Sequence, residues 1–211
     1  YTNVHTYPDV DASGTNPYVV GTAIPRVNTW VDSFTIEGNT ATAIASNISG
    51  DSTCGIDVRG YLNNAAASTV VVGTSSYKLN AGHAVAFNGV DQTTPVVGTP
   101  VTANAYNESP YAAYTGTSGN LLVVAISTQN DRTLTPYNCT EIDQVNHADA
   151  NLGTAFIGYV TATGSAQTIG ATFTTAINWR LVIFELKAAS GETTTSSSST
   201  SSITSQSTST S

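Results

Sequence analysis

The apolar positions of this chain recur at period two or in short unbroken runs, and almost nowhere at the spacing of a helix face. In Ile56-Asp57-Val58-Arg59 apolar and charged residues alternate, so a strand here turns one face to a core and the other away from it. Val70-Val71-Val72 and Leu121-Leu122-Val123-Val124-Ala125-Ile126 are continuous, as expected of strands covered on both sides. Residues 179–186 do both, with Trp179, Leu181 and Ile183 on one face and Val182, Phe184 and Leu186 on the other. From residue 29 to 188, runs rich in Val, Ile, Thr, Tyr and Phe alternate with Gly, Asn, Pro and Ser. No fixed-period repeat is present. The pattern predicts an all-β fold of about ten strands, arranged as a two-sheet antiparallel β-sandwich of jelly-roll or immunoglobulin-like type.

The two ends depart from this pattern. Residues 1–28 open with turn chemistry (Pro8, Asp9, Asp11, Ser13, Gly14) and then supply an apolar segment, Tyr18-Val19-Val20 and Ala23-Ile24-Pro25. Because Pro25 has no N–H to give a ladder, the segment predicts an edge strand of its own domain. The other reading is a donor strand, with Tyr18, Val20 and Ile24 as its anchors, that completes the sheet of a neighbouring subunit. Residues 29–189 form the predicted sandwich domain. Residues 190–211 are a Ser/Thr-rich tail: from 193 to 211, 17 of 19 positions are Ser or Thr. Such a tract has nothing to bury, so it predicts a disordered or O-glycosylated spacer.

Composition narrows the setting. Only 9% of the 211 residues are charged, and the net charge is −8, which makes a nucleic acid an unsuitable partner. Hydroxyls and amides must therefore supply most of the polar surface. No apolar stretch has the roughly 18–20 residues of a membrane-spanning helix. The chain starts at Tyr1 and contains no Met, as after removal of a secretory signal. Cys54 and Cys139 predict a disulfide closing a long loop, worth about 4–5 kcal/mol in the chain-entropy account. Asn47-Ile48-Ser49, Asn107-Glu108-Ser109 and Asn138-Cys139-Thr140 are acceptor sequences for covalent N-glycans. Asn47 is the favoured site, since Pro110 follows the second sequence and a disulfide would crowd the third.

Three strings occur in order: Phe87-Asn88-Gly89-Val90-Asp91-Gln92-Thr93-Thr94-Pro95-Val96, Gly119-Asn120-Leu121-Leu122-Val123-Val124 and Asn178-Trp179-Arg180-Leu181-Val182-Ile183. Over residues 69–188 the chain resembles a group of secreted β-sandwich modules found in prokaryotic surface proteins and phage-associated proteins. These modules carry a GVDQTTP turn and a closing strand opened by Trp. The resemblance implies a fold and an extracellular setting; it brings no catalytic residues.

Candidate chemistry is sparse. Asp9, Asp11 and Ser13, followed by Gly14, have the oxygen spacing of the first half of a calcium loop, but Val20 stands where the bidentate carboxylate belongs. That favours an ordinary turn. His5, His83 and His147 belong to no metal motif, although His147-Ala148-Asp149 has the spacing to orient one imidazole. There is no Gly-x-Ser-x-Gly elbow; Gly116-Thr117-Ser118-Gly119 reads as a hairpin turn. No phosphate-cradling loop appears, and no cofactor is implied. Tyr106, Tyr111 and Tyr114, close together in a loop-rich stretch, are the candidate platform for stacking a sugar. The reading is a non-catalytic, secreted or cell-surface structural or adhesive subunit that self-associates into a filament. The alternatives are a carbohydrate-binding module and a viral or phage appendage protein.

Overall fold

A computed structural model of the protein describes residues 3–10, 12–25, 33–48, 54–62, 69–75, 79–146, 153–191 and 195–197. These residues are all-β, with no helix, and every strand pairing is antiparallel. They contain seventeen strands in four sheets rather than ten in two. Sheet I has the order β1 (Asn3–Val10), β7 (Thr69–Ser75), β3 (Ser33–Ile36), β4 (Asn39–Thr40). Sheet II runs β17 (Thr195–Ser197), β8 (Leu79–Asn88), β2 (Tyr18–Pro25), β6 (Gly55–Leu62), β5 (Thr42–Ile48). Sheet III runs β13 (Thr140–Asn146), β14 (Thr154–Thr161), β11 (Leu121–Thr128), β16 (Ile177–Leu186), β9 (Val96–Asn107). Sheet IV is β10 (Tyr111–Thr115), β15 (Ala166–Thr172), β12 (Thr135–Tyr137).

The two-faced strands dictate the layering. All eight residues of β11 are buried. Leu121, Val123 and Ala125 join Val182, Phe184 and Leu186 of β16 in a central core with Tyr18, Val20, Ile56, Val58, Val85 and Phe87 of sheet II. Leu122, Val124 and Ile126 join Trp179, Leu181 and Ile183 in a second core with Tyr114, Ile169 and Ala171 of sheet IV. The predicted division of residues 179–186 between two faces is therefore observed. A third core lies on the far side of sheet II, where Val19, Ala84 and Ala86 meet Phe34 and Ile36 of sheet I. In β6, Ile56 and Val58 enter the central core while Asp57 and Arg59 pair on the opposite face, Nε to Oδ2 at 3.0 Å. Burying one such Val, Leu, Ile or Phe side chain is worth about 1.5–3 kcal/mol, so three cores give each inner sheet strong attachment on both faces.

Several expectations change. β2 is a central strand, paired to β6 from Tyr18 to Ala23 and to β8 from Tyr18 to Pro25. Pro25 is accommodated because the ladder to β6 has ended by that point and only β8 runs beside it. The N-terminal segment also supplies β1, an edge of sheet I, so it serves two layers. Residues 116–119 do not close a hairpin, because β10 and β11 belong to different sheets and the turn carries the chain between layers. Within the Ser/Thr tail, β17 pairs with Ala86, Phe87 and Asn88 of β8.

Gly21 shows how closely sheets I and II approach. A Cβ on Gly21 would lie 1.9 Å from Cζ of Phe34, which is itself 1% exposed. Replacing Gly21 by Ala should cost about 1–3 kcal/mol through overpacking. Equilibrium urea unfolding checks this, and the penalty should shrink in a Phe34→Leu background, where the colliding ring is gone.

Candidate functional site

The Gly89-Val90-Asp91 turn ties the N-terminal segment to the end of β16. Gly89 adopts φ 69°, and its N–H donates to Thr15 O at 2.8 Å while Val90 N–H donates to Asn16 O at 3.2 Å. On the other side Ala189 N–H donates to Gly89 O, Asp91 N–H to Lys187 O and Lys187 N–H to Pro95 O, all at 2.8–2.9 Å. Asp91 Oδ1 accepts the N–H groups of Thr93 and Thr94, and its Oδ2 lies 3.0 Å from Lys187 Nζ. These contacts hold the Asp91 carboxyl below its usual range, the Thr94 N–H contributing most. Val90 is fully buried in the central core. The GVDQTTP string is thus a clasp held by the Asp91 carboxylate and by backbone hydrogen bonds to both flanking segments. Next to it, Tyr18, Ile44, Tyr61, Leu62, Pro95 and Val96 help line a mainly apolar groove of about 560 Å³.

One buried polar group lies at the other end of the central core. Thr22 Oγ1 accepts the His83 backbone N–H at 3.0 Å and lies 3.1 Å from His83 Nδ1. The imidazole tautomer sets which of Thr22 Oγ1 and His83 Nδ1 donates in that contact. Asp143 Oδ2 stands 3.7 Å from Nε2, beyond hydrogen-bond length. Hydroxyl, imidazole and carboxylate succeed one another as in a nucleophilic relay. Thr22 is 1% exposed and His83 2%, however, so no surface reaches the hydroxyl. Burial lowers the His83 pKa to about 3 and raises that of Asp143.

A carboxylate is also buried between sheets III and IV. Glu185 Oε1 accepts Asn120 Nδ2 at 2.5 Å and Thr117 N–H at 2.8 Å, fixing the turn between the layers. Tyr114 faces this core and is 6% exposed. Burial, with a smaller push from the Glu185 charge, raises its phenol pKa.

The predicted tyrosine platform accordingly comes apart. Tyr114 turns inward, and Tyr106, 69% exposed, extends from β9 at the edge of sheet III. Tyr111 instead stacks on Tyr137 of β12, with ring centroids 4.9 Å apart and planes at 25°. Both are opposite Gly170 of β15, the central strand of sheet IV, and both are 39% exposed. Tyr137 lay too far along the chain for sequence proximity to suggest it.

The cysteines are not bonded to each other. Cys54 precedes β6 of sheet II, whereas Cys139 packs against the core between sheets III and IV and donates its Sγ–H to Gly170 O at 3.2 Å. Sheet III intervenes, and stacked sheets lie about 10 Å apart, beyond the span of a disulfide. Burial raises the Cys139 thiol pKa. Asn47 Nδ2 donates to Ala103 O at 2.8 Å and to Leu181 O at 3.4 Å, bridging sheet II to sheet III. Asn107 Oδ1 accepts Trp179 Nε1 and Ser109 N–H. Asn138 is exposed at φ 52°, with Nδ2 donating to Thr168 O at 3.0 Å. Asp9 falls in β1 and Ser13 is exposed just before the bend at 14–16, while Asp11 lies outside the described residues, as do His147 and Asp149. His5 is in β1. Among the described residues no three His, Cys, Asp or Glu side chains gather as a metal site, and no helix is long and apolar enough to cross a membrane.

Two outcomes follow from these environments. His83 is neutral when folded, so above its ordinary pKa of 6.5 its burial leaves stability independent of pH. As pH falls from 6.5 toward 3, the unfolded chain takes up the proton and the folded chain does not. Stability should then decline by up to about 1.4 kcal/mol per pH unit. Urea unfolding at a series of pH values measures the slope, which His83→Gln should flatten. Alkylation in denaturant without reductant, read by intact mass, should modify both Cys54 and Cys139; in the native protein both should react slowly.

No protein-family model, curated protein or solved structure matches the chain.

Proposed function

We propose that this chain is a non-catalytic, extracellular structural subunit of a surface appendage or filament, joined to its neighbours by exchange of N-terminal strands. In this reading sheets II and III are the β-sandwich proper, and sheets I and IV flank it. The carrying observation is the place of β2. It comes from the first 25 residues, yet it fills the middle of sheet II between β6 and β8. Tyr18 and Val20 project into the central core and Val19 into the core with sheet I, while the side chain of Ile24 lies outside those described. Withdrawing β2 would leave β6 and β8 with unpaired backbone groups and would bare Ile56, Val58, Val85 and Phe87 to water. Such a gap demands a strand, and β2 of a second copy makes the same contacts as the chain's own. Donor and acceptor surfaces differ, so successive exchanges build an open chain of subunits. The low charge, the Ser/Thr tail and the resemblance to secreted modules support an extracellular setting.

A carbohydrate-binding module is the second reading, favoured by the exposed Tyr111–Tyr137 stack. Light scattering and electron microscopy of the full chain test the first. Linear polymers are expected, with their loss on deleting residues 1–25 and a folded monomer restored by the free 1–25 peptide. A full chain that stays monomeric at its solubility limit, with β2 amides protected from exchange, would overturn strand exchange. Binding to one sugar class on a glycan array, lost in Tyr111→Ala, would favour the module instead.

A further inference from the structure

We infer that Asn138 is the N-glycan acceptor of this protein, and that the Tyr111–Tyr137 stack is the surface on which its first sugar rests. The inference rests on the extracellular reading only in requiring that the chain meet a glycosylating enzyme.

The amide nitrogens separate the three acceptor sequences. An asparagine Nδ2 carries two hydrogens, and N-glycosylation replaces one of them with C1 of a sugar. At Asn47 both hydrogens are engaged, with Ala103 O at 2.8 Å and Leu181 O at 3.4 Å, and the acceptors belong to the opposite sheet. A sugar there would stand between sheets II and III, so the glycosylated chain could not close its central layers. At Asn107 the oxygen is clamped by Trp179 Nε1 at 2.9 Å and Ser109 N–H at 2.8 Å. The residue after that sequence is Pro110, which is buried, and its carbonyl accepts Ala171 N–H. The segment an enzyme must grip is thus fixed in sheet IV's border.

Asn138 differs at each point. It sits where the chain passes from β12 of sheet IV to β13 of sheet III. Its φ of 52° suits Asn, which tolerates the left-handed region better than most residues. The corner sends Cys139 inward to Gly170 O and leaves Asn138 and Thr140, the two residues that define the sequence, exposed. One Nδ2 hydrogen holds Thr168 O at 3.0 Å, and the second has no partner among the described residues. The bond to Thr168 can persist after modification and would orient the glycan along the sheet.

What lies beside the amide suits a neutral sugar. Tyr137 immediately precedes Asn138, and Tyr111 stacks on it at 4.9 Å. Thr168, whose carbonyl holds Asn138, is two residues along β15 from Gly170, which both tyrosines face; that is about 7 Å at strand spacing. A Cβ on Gly170 would meet Pro110 O at 2.1 Å and Tyr111 Cβ at 2.8 Å, so glycine is what lets Tyr111 lie this close. The rest of this face is Ala113, Thr115, Thr135, Ala166, Thr168 and Thr172, opposite in phase to the core-facing Ala112, Tyr114, Ile169 and Ala171. It is therefore aromatic and hydroxyl-bearing with no charge, matching the C–H face and hydroxyl rim of a pyranose. In the modifying step Nδ2 loses a proton and bonds to C1 of a lipid-pyrophosphate-linked oligosaccharide, and the lipid pyrophosphate leaves.

The full chain, secreted from a host whose N-glycans begin with an N-acetylhexosamine, provides the test. Glycopeptide mass spectrometry should find Asn138 modified in most molecules and Asn47 in few. An unmodified Asn138, or Asn47 modified to the same degree, would overturn the assignment. By NMR the acetamido methyl of the first sugar should be shifted upfield by the tyrosine rings. That shift should return to its ordinary position in Tyr137→Ser, whose fold the remaining methyl resonances report. An ordinary methyl shift in the wild-type glycoprotein would overturn the resting surface without needing any variant. A glycosylated chain that remains monomeric would leave this inference standing and count only against strand exchange.

Discussion

The pairing of β11 with β16 is the constraint on which the rest of the structure depends. From Leu121 opposite Leu186 to Ile126 opposite Leu181 both strands are apolar on both faces except at Glu185, whose carboxylate is buried and hydrogen-bonded. A strand pair of this kind cannot turn either side to water, so sheet III must be an inner layer. Sheet II covers one side and sheet IV the other, and each core is completed by residues far away in sequence. Sheet II in turn has apolar side chains on both faces, with Val20 directed one way and Val19 the other, and sheet I covers the second. Burial thus propagates outward from one strand pair until it reaches faces polar enough to meet solvent.

That outward chain of dependence passes through the N-terminus. β2 unites β6 and β8, and the segment before it is held to Gly89 and Val90 by two backbone hydrogen bonds. The same turn grips residues 187–189 through Gly89, Asp91 and the Val90–Ala188 bridge. One short turn therefore fastens both the entry to β2 and the exit from β16. A strand that is central by pairing yet terminal by sequence is secured by these local contacts, its two ladders and the burial of Tyr18, Val19 and Val20. In the proposed assembly the same contacts would be made by β2 of a neighbouring copy, with β1 carried along from sheet I.

The sequence carried the local conformation more fully than the layering. Period two in residues 56–59 and the double pattern in 179–186 placed side chains on the correct faces, because each signal sits within a single strand. Sheets I and IV were not legible. Their strands, such as Tyr111–Thr115 and Thr135–Tyr137, are short and rich in Thr and Ala, and their pairing joins distant segments. The tyrosine cluster illustrates both halves of this. Tyr111 and Tyr114 are three apart, and in a strand an odd spacing puts them on opposite faces, a signal that was available. Tyr137 meets Tyr111 only through β15, and no local pattern could bring it there. Pro25 suggested an edge strand because a missing donor was weighed over the whole strand, whereas only its last position, beyond the β6 ladder, was affected. The cysteines failed differently, since two residues of a suitable type in a suitable setting carry no information about the sheet that separates them.

The scarcity of charge acquires a structural meaning once the placed charges are considered. Asp57 pairs with Arg59 under sheet I, Asp91 and Lys187 close the clasp, and Glu185 and Arg180 are 3% and 1% exposed. Six of the twenty charged residues are thus engaged within layers and turns. Faces such as the outside of sheet IV are left to Thr, Ala and Tyr, whose interactions are hydrogen bonds and ring contacts that ionic strength screens weakly. Contacts built on such faces, whether to another subunit or to a sugar, gain specificity from shape and strand register rather than from charge. A chain with this composition is therefore suited to joining by backbone pairing, the one polar interaction that every residue but proline supplies in full without carrying a charge.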